Sequence, residues 1–448
     1  MSTTIPNLDG VGVAFDDPGL VANAGLLLVA TLADRLGLET LIDDTVDLGG
    51  RVGAANPGSK LLTLMMGLVA GGSFIDHVDM LRAGDTAKIL PFTVVAPSTV
   101  GTFLRAFTFG HVRQLDKTIG ETIRRVWTDF GVGPGDDRLV LDLDSTVTQV
   151  YGDHKQGAAN TYTKVVGYHP LVASRADTGE ILHVRLREGS SQRGHGQFIR
   201  ELIARVQRAG ASGQILVRAD SGFWSRKLID VLDRLKCLYS ITVSMNPSIR
   251  KQIQAIPERG WSPITYPDGG YAQVGSCAYV TVGKSQDHHT PLTVRLVVRR
   301  THRIPQDDTQ DTLFDDWEYH AFVTNQTGQA VDVDAEHRRH AVVELAIRDL
   351  KHGVGAFHMP SGNFSANGAW LAATVMAHNL VRWTQICGDP RPGAPIRVAA
   401  TLRTQIVSVP GRLVNHARRN ILRLPARWPW EQLFNRYLTN LRALPQLI

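Results

Sequence analysis

The sequence predicts an α/β protein: a sheet-forming domain interrupted by a β-rich insertion, with helical regions on both sides. Three observations point there. Residues 26–38, 61–69 and 100–126 repeat apolar positions at three-to-four spacing, the period of an amphipathic helix. From residue 138 the pattern changes to short runs rich in Val, Leu, Tyr and Thr. The chain has 448 residues, about three times a typical domain, so several units with at least one sizeable core are expected.

Taken in order, residues 1–135 form the helical region, punctuated by Gly71-Gly72 and Pro97. Within it, 74–81 and 98–107, with Ser98 as a cap, read either as a helix-turn-helix for DNA ends or as part of a helical bundle. The glycine-rich stretch 131–137 precedes a strand instead of linking a strand to a helix, so it is a domain boundary and not a phosphate loop. Residues 138–150, 163–172 and 181–187 are then three consecutive strands, expected to pair antiparallel, with Asp177-Thr-Gly179 as a turn. An amphipathic helix at 196–209, a strand at 214–220, a helix at 225–235 and a strand at 237–243 follow. Three strands followed by alternating helices and strands is the order of an RNase H-like α/β domain. Its first part spans 136–245, and a β-rich insertion spans 246–319, with strands expected at 271–282 and 292–298. The domain resumes over 320–385, with a strand at 321–324 and a long helix at 334–351. Residues 386–448 complete the chain as a basic helical region.

Composition narrows the class. Hydrophobic residues at 43% and charged residues at 20% are ordinary for a soluble globular protein. The longest apolar runs fall short of the roughly 18 residues of a spanning helix, and Asp9, Asp16 and Asp17 stand where a signal peptide carries positive charge. No membrane association and a cytoplasmic location are therefore expected. Cys237, Cys277 and Cys387 lack the close spacing of zinc or redox motifs and read as free thiols. The net charge is +6, yet residues 376–448 alone hold eleven arginines against Asp389 and Glu431. The rest of the chain is on balance acidic. Such a segment, with Arg418, Arg419, Arg423 and Arg427 among tryptophans, is either a solvated face or a contact for a polyanion.

Three carboxylates stand where chemistry is expected. Strand alternation puts Asp142 and Asp144 on one face of 139–144, and Arg218 and Asp220 on one face of 215–220, with Asp220 at the C-terminal end where open sheets form crevices. A lone aspartate at a strand end is more often a turn or cap residue. On the helix 334–351, His337, His340, Glu344, Arg348 and Lys351 fall within about 40° of one another. Glu344 and Arg348 are also an ordinary i,i+4 pair.

Together these pieces resemble the DDE transposases of bacterial insertion sequences, in the group with a β-rich insertion between the second Asp and the Glu. Leu139-Val-Leu-Asp-Leu-Asp-Ser-Thr146 is similar to the D-x-D-[AS]-T element, whose second Asp maps to Asp144. Val217-Arg-Ala-Asp-Ser-Gly-Phe223 is similar to R-x-D-S-G-F and maps Asp220. Glu344-Leu-Ala-Ile-Arg-Asp-Leu-Lys351 is similar to the E-x6-K half of a Y-x2-R-x3-E-x6-K signature, whose Tyr and Arg fall here on His337 and His340. Gly167-Tyr-His-Pro-Leu171 is similar to a further element of the family.

The resemblance implies a catalytic and metal-binding set of Asp144, Asp220 and Glu344. Two divalent cations, Mg²⁺ with Mn²⁺ as substitute, would be held with Asp144 bridging them. His337, His340, Arg348 and Lys351 would clamp DNA phosphates, and Arg218 would contact DNA or pair with an acid. The implied partners are terminal inverted repeats and target DNA, bound by a homodimer. A nuclease of the same fold without strand transfer and an inactive DNA-binding descendant are the competing readings, and the sequence has no G-x-S-x-G elbow to support an α/β hydrolase.

Overall fold

In the computed structural model, residues 8–448 are described, apart from 153, 162, 192, 266–270, 282–290 and 303–316. The strands of the main sheet are β1 (Leu139–Ser145), β2 (Leu171–Arg175), β3 (Ile181–Arg185), β4 (Ile215–Ala219), β5 (Leu238–Thr242), β6 (Trp261–Thr265), β7 (Tyr271–Thr281), β8 (Leu292–His302) and β9 (Trp317–Thr324). Their spatial order is β6-β7-β8-β9-β5-β4-β1-β2-β3. β1, β4 and β5 run parallel, whereas β1, β2 and β3 pair antiparallel, as the turn at Asp177-Thr-Gly179 requires.

The two parallel steps are crossovers through helices. His195–Arg208 carries the chain from β3 towards β4, and Arg226–Arg234, capped by Ser225, carries it from β4 to β5. Both helices bury one apolar stripe, Phe198, Ile199, Leu202 and Ile203 in the first and Leu228, Ile229 and Leu232 in the second. This is the period-3.6 face the sequence displays.

The strands of the insertion do not stand apart from the sheet. β9 pairs antiparallel with β5, and β8, β7 and β6 follow outward as an antiparallel meander. β7 matches the expected strand at 271–282 up to Thr281, and residue 282 lies outside the described residues. β8 runs on to His302, four residues beyond the expected end, because its second half stays paired with β9 along the full ladder.

The helical regions close on one another. Phe364–Gly388 is buried over nearly its whole length and packs against Pro57–Val69, Phe109–Arg124 and Glu431–Ala443. Pro57–Val69 is buried on every side, which explains why its apolar run is continuous instead of striped. Glu431–Ala443 also packs on Leu26–Arg35, so both ends of the chain join one bundle. At the crossing of Phe364–Gly388 and Glu431–Ala443, a Cβ on Gly388 would stand 2.8 Å from the Tyr437 ring. Asn379 of the long helix bonds both the N–H and the C=O of Ile181 at 2.8 and 2.9 Å, which satisfies the backbone at the start of the edge strand β3. Among the described residues, no helix is long and apolar enough to cross a membrane.

Three local expectations change. Ile75–Arg82 is a 3-10 helix, and residues 83–96 with a further 3-10 turn separate it from Pro97–Arg105. That spacing is unlike the short turn of a helix-turn-helix. Pro97, not Ser98, opens the second helix, with Ala96 at the cap position. The C-terminal region is not all helix: Gly411–His416 and Arg419–Arg423 form a β-hairpin, and Leu20–Val21 adds a third strand. Its two-residue turn, Ala417-Arg418, has φ of 49° and 64°. Such a turn is ordinarily announced by Asn-Gly or Asp-Gly, and neither residue here carries that signal.

An ion cluster ties the bundle to the sheet. Asp116 of helix Phe109–Arg124 receives Arg205 at 2.6 Å and lies 3.3 Å from His183, which in turn lies 3.2 Å from Glu201. Glu201 also pairs with Arg113 at 3.0 Å and with Arg185. Burial pushes the Asp116 carboxyl up, but the His183 hydrogen bond and the Arg205 charge outweigh it and hold the group well below the usual range. For Glu201 burial is likewise outweighed, by hydrogen bonds from His183, Arg113 and Gln197 and by the Arg185 charge. Carboxylates lowered on folding stabilise the protein above their unfolded values, near 4, and that contribution is lost as pH falls towards the folded values. Denaturant titrations should therefore show stability declining below about pH 4. Asp116→Asn should cost about 3 kcal/mol at neutral pH and make the acid decline shallower; an unchanged decline would contradict this role.

Candidate active site

The parallel ladder of β1 and β4 sets Asp142 directly beside Arg218. Two residues further along the same faces come Asp144, the penultimate residue of β1, and Asp220, just past the end of β4. The inner layer is an ion pair: Arg218 donates to both Asp142 oxygens at 2.7 and 2.8 Å, and Asp142 is fully buried. The outer layer is two carboxylates side by side.

Asp144 and Asp220 are half-buried. Burial pushes the Asp144 carboxyl up and the Glu344 charge adds to it, against a backbone hydrogen bond at Ser145 and the charges of His340 and Lys351. Burial and the Asp144 charge likewise push Asp220 up, although its side chain accepts from the Gly222 N–H at 3.1 Å. Glu344 comes from the short helix Val342–Arg348 and is exposed. Asp144, Asp220 and Glu344 line one cleft of about 570 Å³.

The helix expected at 334–351 is broken into Ala330–Arg338, a 3-10 turn at Arg339–Ala341, Val342–Arg348 and a π turn at Asp349–Gly353. A 3-10 turn advances three residues per turn, so the side chains before and after it do not keep the common stripe that continuous α-helical geometry implies. His337 accordingly turns inward. It is 4% exposed, stacks on Phe322 with ring centroids 4.0 Å apart, and pairs with Ser240 Oγ at 2.6 Å and Thr242 Oγ1 at 3.2 Å. Burial, with the charges of His320 and His340, brings its pKa down to about 2, so it is neutral.

His340 reaches the ion pair instead, its Nδ1 2.8 Å from Asp142 Oδ1. Arg218, 2% exposed, also donates to the Glu336 C=O at 2.7 Å. Arg218 thus takes the second of its two expected roles, pairing with an acid, and is held by a carboxylate and a carbonyl. His337, largely buried and neutral, still contributes with His340 to the lining of the cleft. Lys351 does face the site, donating to Thr146 Oγ1 at 2.6 Å. Burial lowers its pKa and the Asp144 charge raises it. Arg348 is exposed outside the cleft lining, and Arg418, Arg419, Arg423 and Arg427 are exposed on the C-terminal hairpin and the loop after it.

The cleft also has lining residues that the sequence alone does not single out. Arg299 of β8, His320 of β9 and Arg338 join it, and Arg299 and Arg338 both pair with the buried Asp334, at 2.9 and 3.0 Å. A signal was present in β8, where Arg295, Val297 and Arg299 alternate onto one face, but only the pairing of β9 with β5 brings that strand to the cleft.

Among the described residues, one set of His, Asp and Glu has ligand atoms all within 4.8 Å of one another, namely Asp116, His183 and Glu201. Arg113, Arg185 and Arg205 already neutralise its carboxylates, so it is poorly suited to a cation. Among the described residues, no arginine is bonded in that way to Asp144, Asp220 or Glu344.

The family model of transposase DDE domain group 1 matches residues 7–446. The chain belongs to this DDE transposase family. No curated protein matches it. Among solved structures, the synaptic complex of piggyBac transposase with hairpin DNA is similar over 86% of this chain and 80% of that chain, at 12% identity and a TM-score of 0.41. A likeness that distant says nothing of what this chain does. In this member of the DDE transposase family, the inner and outer layers make opposite demands on stability. Asp142→Asn leaves the Arg218 charge buried with half its partner gone and should lower stability by about 3 kcal/mol. Asp144→Asn removes a half-buried charge that burial disfavours and should leave the melting temperature unchanged or raised. Thermal unfolding of the two variants checks this, and a larger loss for Asp144→Asn would reverse the two assignments.

Proposed function

We propose that the chain is the DNA transposase of an insertion sequence, which binds the element's terminal inverted repeats and catalyses DNA cleavage and strand transfer by in-line phosphoryl transfer. The observation that carries this reading is the convergence of Asp144, Asp220 and Glu344 on one cleft bordered by basic side chains. We read β3-β2-β1-β4-β5 as an RNase H-like core within 136–245 and 320–385, β6 to β9 as the insertion of 246–319 running on into β9, and residues 1–135 and 386–448 as the helical flanks. DNA would be bound by a homodimer, in the cytoplasm and at the nucleoid.

The donor set fits hard divalent cations, Mg²⁺ or Mn²⁺, which take oxygen ligands. Burial raises Asp144 and Asp220, the Glu344 charge adds to the first and the Asp144 charge to the second, and positive charge placed among the three would relieve them. Asp144, Asp220 and Glu344 would hold two such ions. When bound, the pair supplies charge stabilisation for the attacking and leaving oxygens of the displacement.

The remaining work falls to the chain's own residues. Lys351, fixed by Thr146 beside Asp144, is placed to hold a non-bridging phosphate oxygen, and Arg299 and Arg338 supply positive charge on the opposite wall. Their anchoring to Asp334 preorganises them, so little reorganisation accompanies charge development. His340 is a positioning residue: through Asp142 it fixes the turn that leads into the helix carrying Glu344.

Glu344→Ala should reduce metal-dependent nicking of an end-containing duplex by on the order of 10³-fold, the scale of losing a principal electrostatic group, and leave duplex binding intact. Substantial cleavage by this variant would sink the assignment. In the wild type, cleavage without joining of a 3′-OH end to target DNA would mark a nuclease of the same fold, and binding with no metal-dependent nicking would mark an inactive DNA-binding descendant.

A further inference from the structure

The eleven arginines of residues 376–448 are not equivalent in the structure. Arg382 pairs with Asp349 at 2.9 Å, Arg391 and Arg436 pair with Asp389, and Arg403 donates to the carbonyls of Val69 and Gly353. Those side chains hold the fold. Arg418, Arg419 and Arg423, by contrast, are exposed on the hairpin, and none has an ion-pair partner among the described residues.

The register sorts the hairpin into two faces. Leu413 lies opposite Leu422, and both pack on the core with Leu424. Leu20–Val21 pairs with Gly411 and Arg412 and pins the base. The other face therefore points away from the core, and it carries Arg412 opposite Arg423, Val414 opposite Ile421, and His416 opposite Arg419. Arg418 sits at the tip, in the left-handed turn with Ala417. Like charges directly opposite each other destabilise an antiparallel pair. Here that happens at the Arg412–Arg423 rung, relieved among the described residues only by Asp17, 3.6 Å from Arg412. A face built this way lacks an anion.

We propose that this hairpin is a two-stranded arm that grips duplex DNA, with its arginine face laid into the major groove. This rests on the reading of the chain as a DNA-processing enzyme. The dimensions agree: two strands about 4.8 Å apart with their side chains fit a groove about 12 Å wide, and the major groove admits a β-ribbon. The charge is arranged for it as well. Arg412 with Arg423 forms one rung and His416 with Arg419 another, with Val414 and Ile421 between them along the ribbon. Arginines from both strands can therefore reach the phosphates on either side of the groove while the apolar rung meets base edges, where a thymine methyl offers contact.

The test uses the full chain carrying Arg418→Ala, Arg419→Ala and Arg423→Ala together, with anisotropy of a labelled 30-base-pair duplex of random sequence followed against salt. Each phosphate no longer neutralised should flatten the slope of log K against log salt by about 0.9, so the triple variant should lose roughly 2–3 units of slope, with weakening of about tenfold or more at low salt. The loss should be several-fold smaller on a single strand of equal length, which has no groove. Should the triple variant fail to fold, Arg419→Ala and Arg423→Ala taken singly should each remove about one unit. An unchanged slope in a folded variant overturns the arm, whether or not binding of poly-glutamate is lost; its loss there would make the hairpin a dock for an acidic protein. Equal losses on duplex and single strand overturn the groove assignment. The nicking assay on the cleft reads separately: an intact cleft result with an unchanged hairpin slope removes the arm and leaves the proposed function standing.

Discussion

A buried ion pair between neighbouring parallel strands is the constraint on which the site depends. Arg218 and Asp142 face each other in the ladder of β1 and β4, below the two carboxylates that line the cleft. The pair does more than neutralise itself. Through its guanidinium it takes the Glu336 carbonyl, and through its carboxylate it takes His340, so the segment that carries Glu344 is tied to both strands at one point. Apolar replacements of similar volume are often as stable as a buried ion pair. They would not bond a carbonyl on one side and an imidazole on the other, and that connection relates the third carboxylate to the first two.

The rest of the fold supports this point from two directions. Phe364–Gly388, the long buried helix, bonds the first residue of β3 through Asn379 and fixes the π turn that contains Lys351 through the Arg382–Asp349 pair. The antiparallel meander β6 to β9 extends the opposite edge and delivers Arg299 and His320 to the far wall of the cleft. The cleft is therefore bordered on one side by the core strands and on the other by strands that follow the second aspartate in sequence.

Much of this was legible in the sequence, and the remainder was hidden for identifiable reasons. Strand alternation placed Asp142 with Asp144 and Arg218 with Asp220, because period 2 needs only the local run of residues. It did not tell which aspartate would be neutralised, since that depends on the register between β1 and β4, a long-range fact. The helix 334–351 looked continuous because its apolar and basic positions keep a period near 3.6. The 3-10 turn at Arg339–Ala341 redirects the face, so that His337 lies largely buried in the cleft wall while Glu344 is exposed. The C-terminal hairpin was hidden because Ala417-Arg418 carries no turn residue. The charge count there was sound, yet it pooled arginines that hold the bundle together with those that face solvent.

On the proposed reading, Asp144, Asp220 and Glu344 would hold divalent metal and Asp116, His183 and Glu201 would not, although the ligand atoms of the latter set lie within 4.8 Å of one another. The most direct measurement is iron-directed backbone cleavage: Fe²⁺ is substituted for Mg²⁺, hydroxyl radicals are generated with ascorbate and peroxide, and the cut sites are mapped by mass spectrometry. Cuts clustered near residues 144, 220 and 344, and suppressed by excess Mg²⁺, are the expected result. Cuts near 116, 183 and 201, with none around the cleft, would contradict the account.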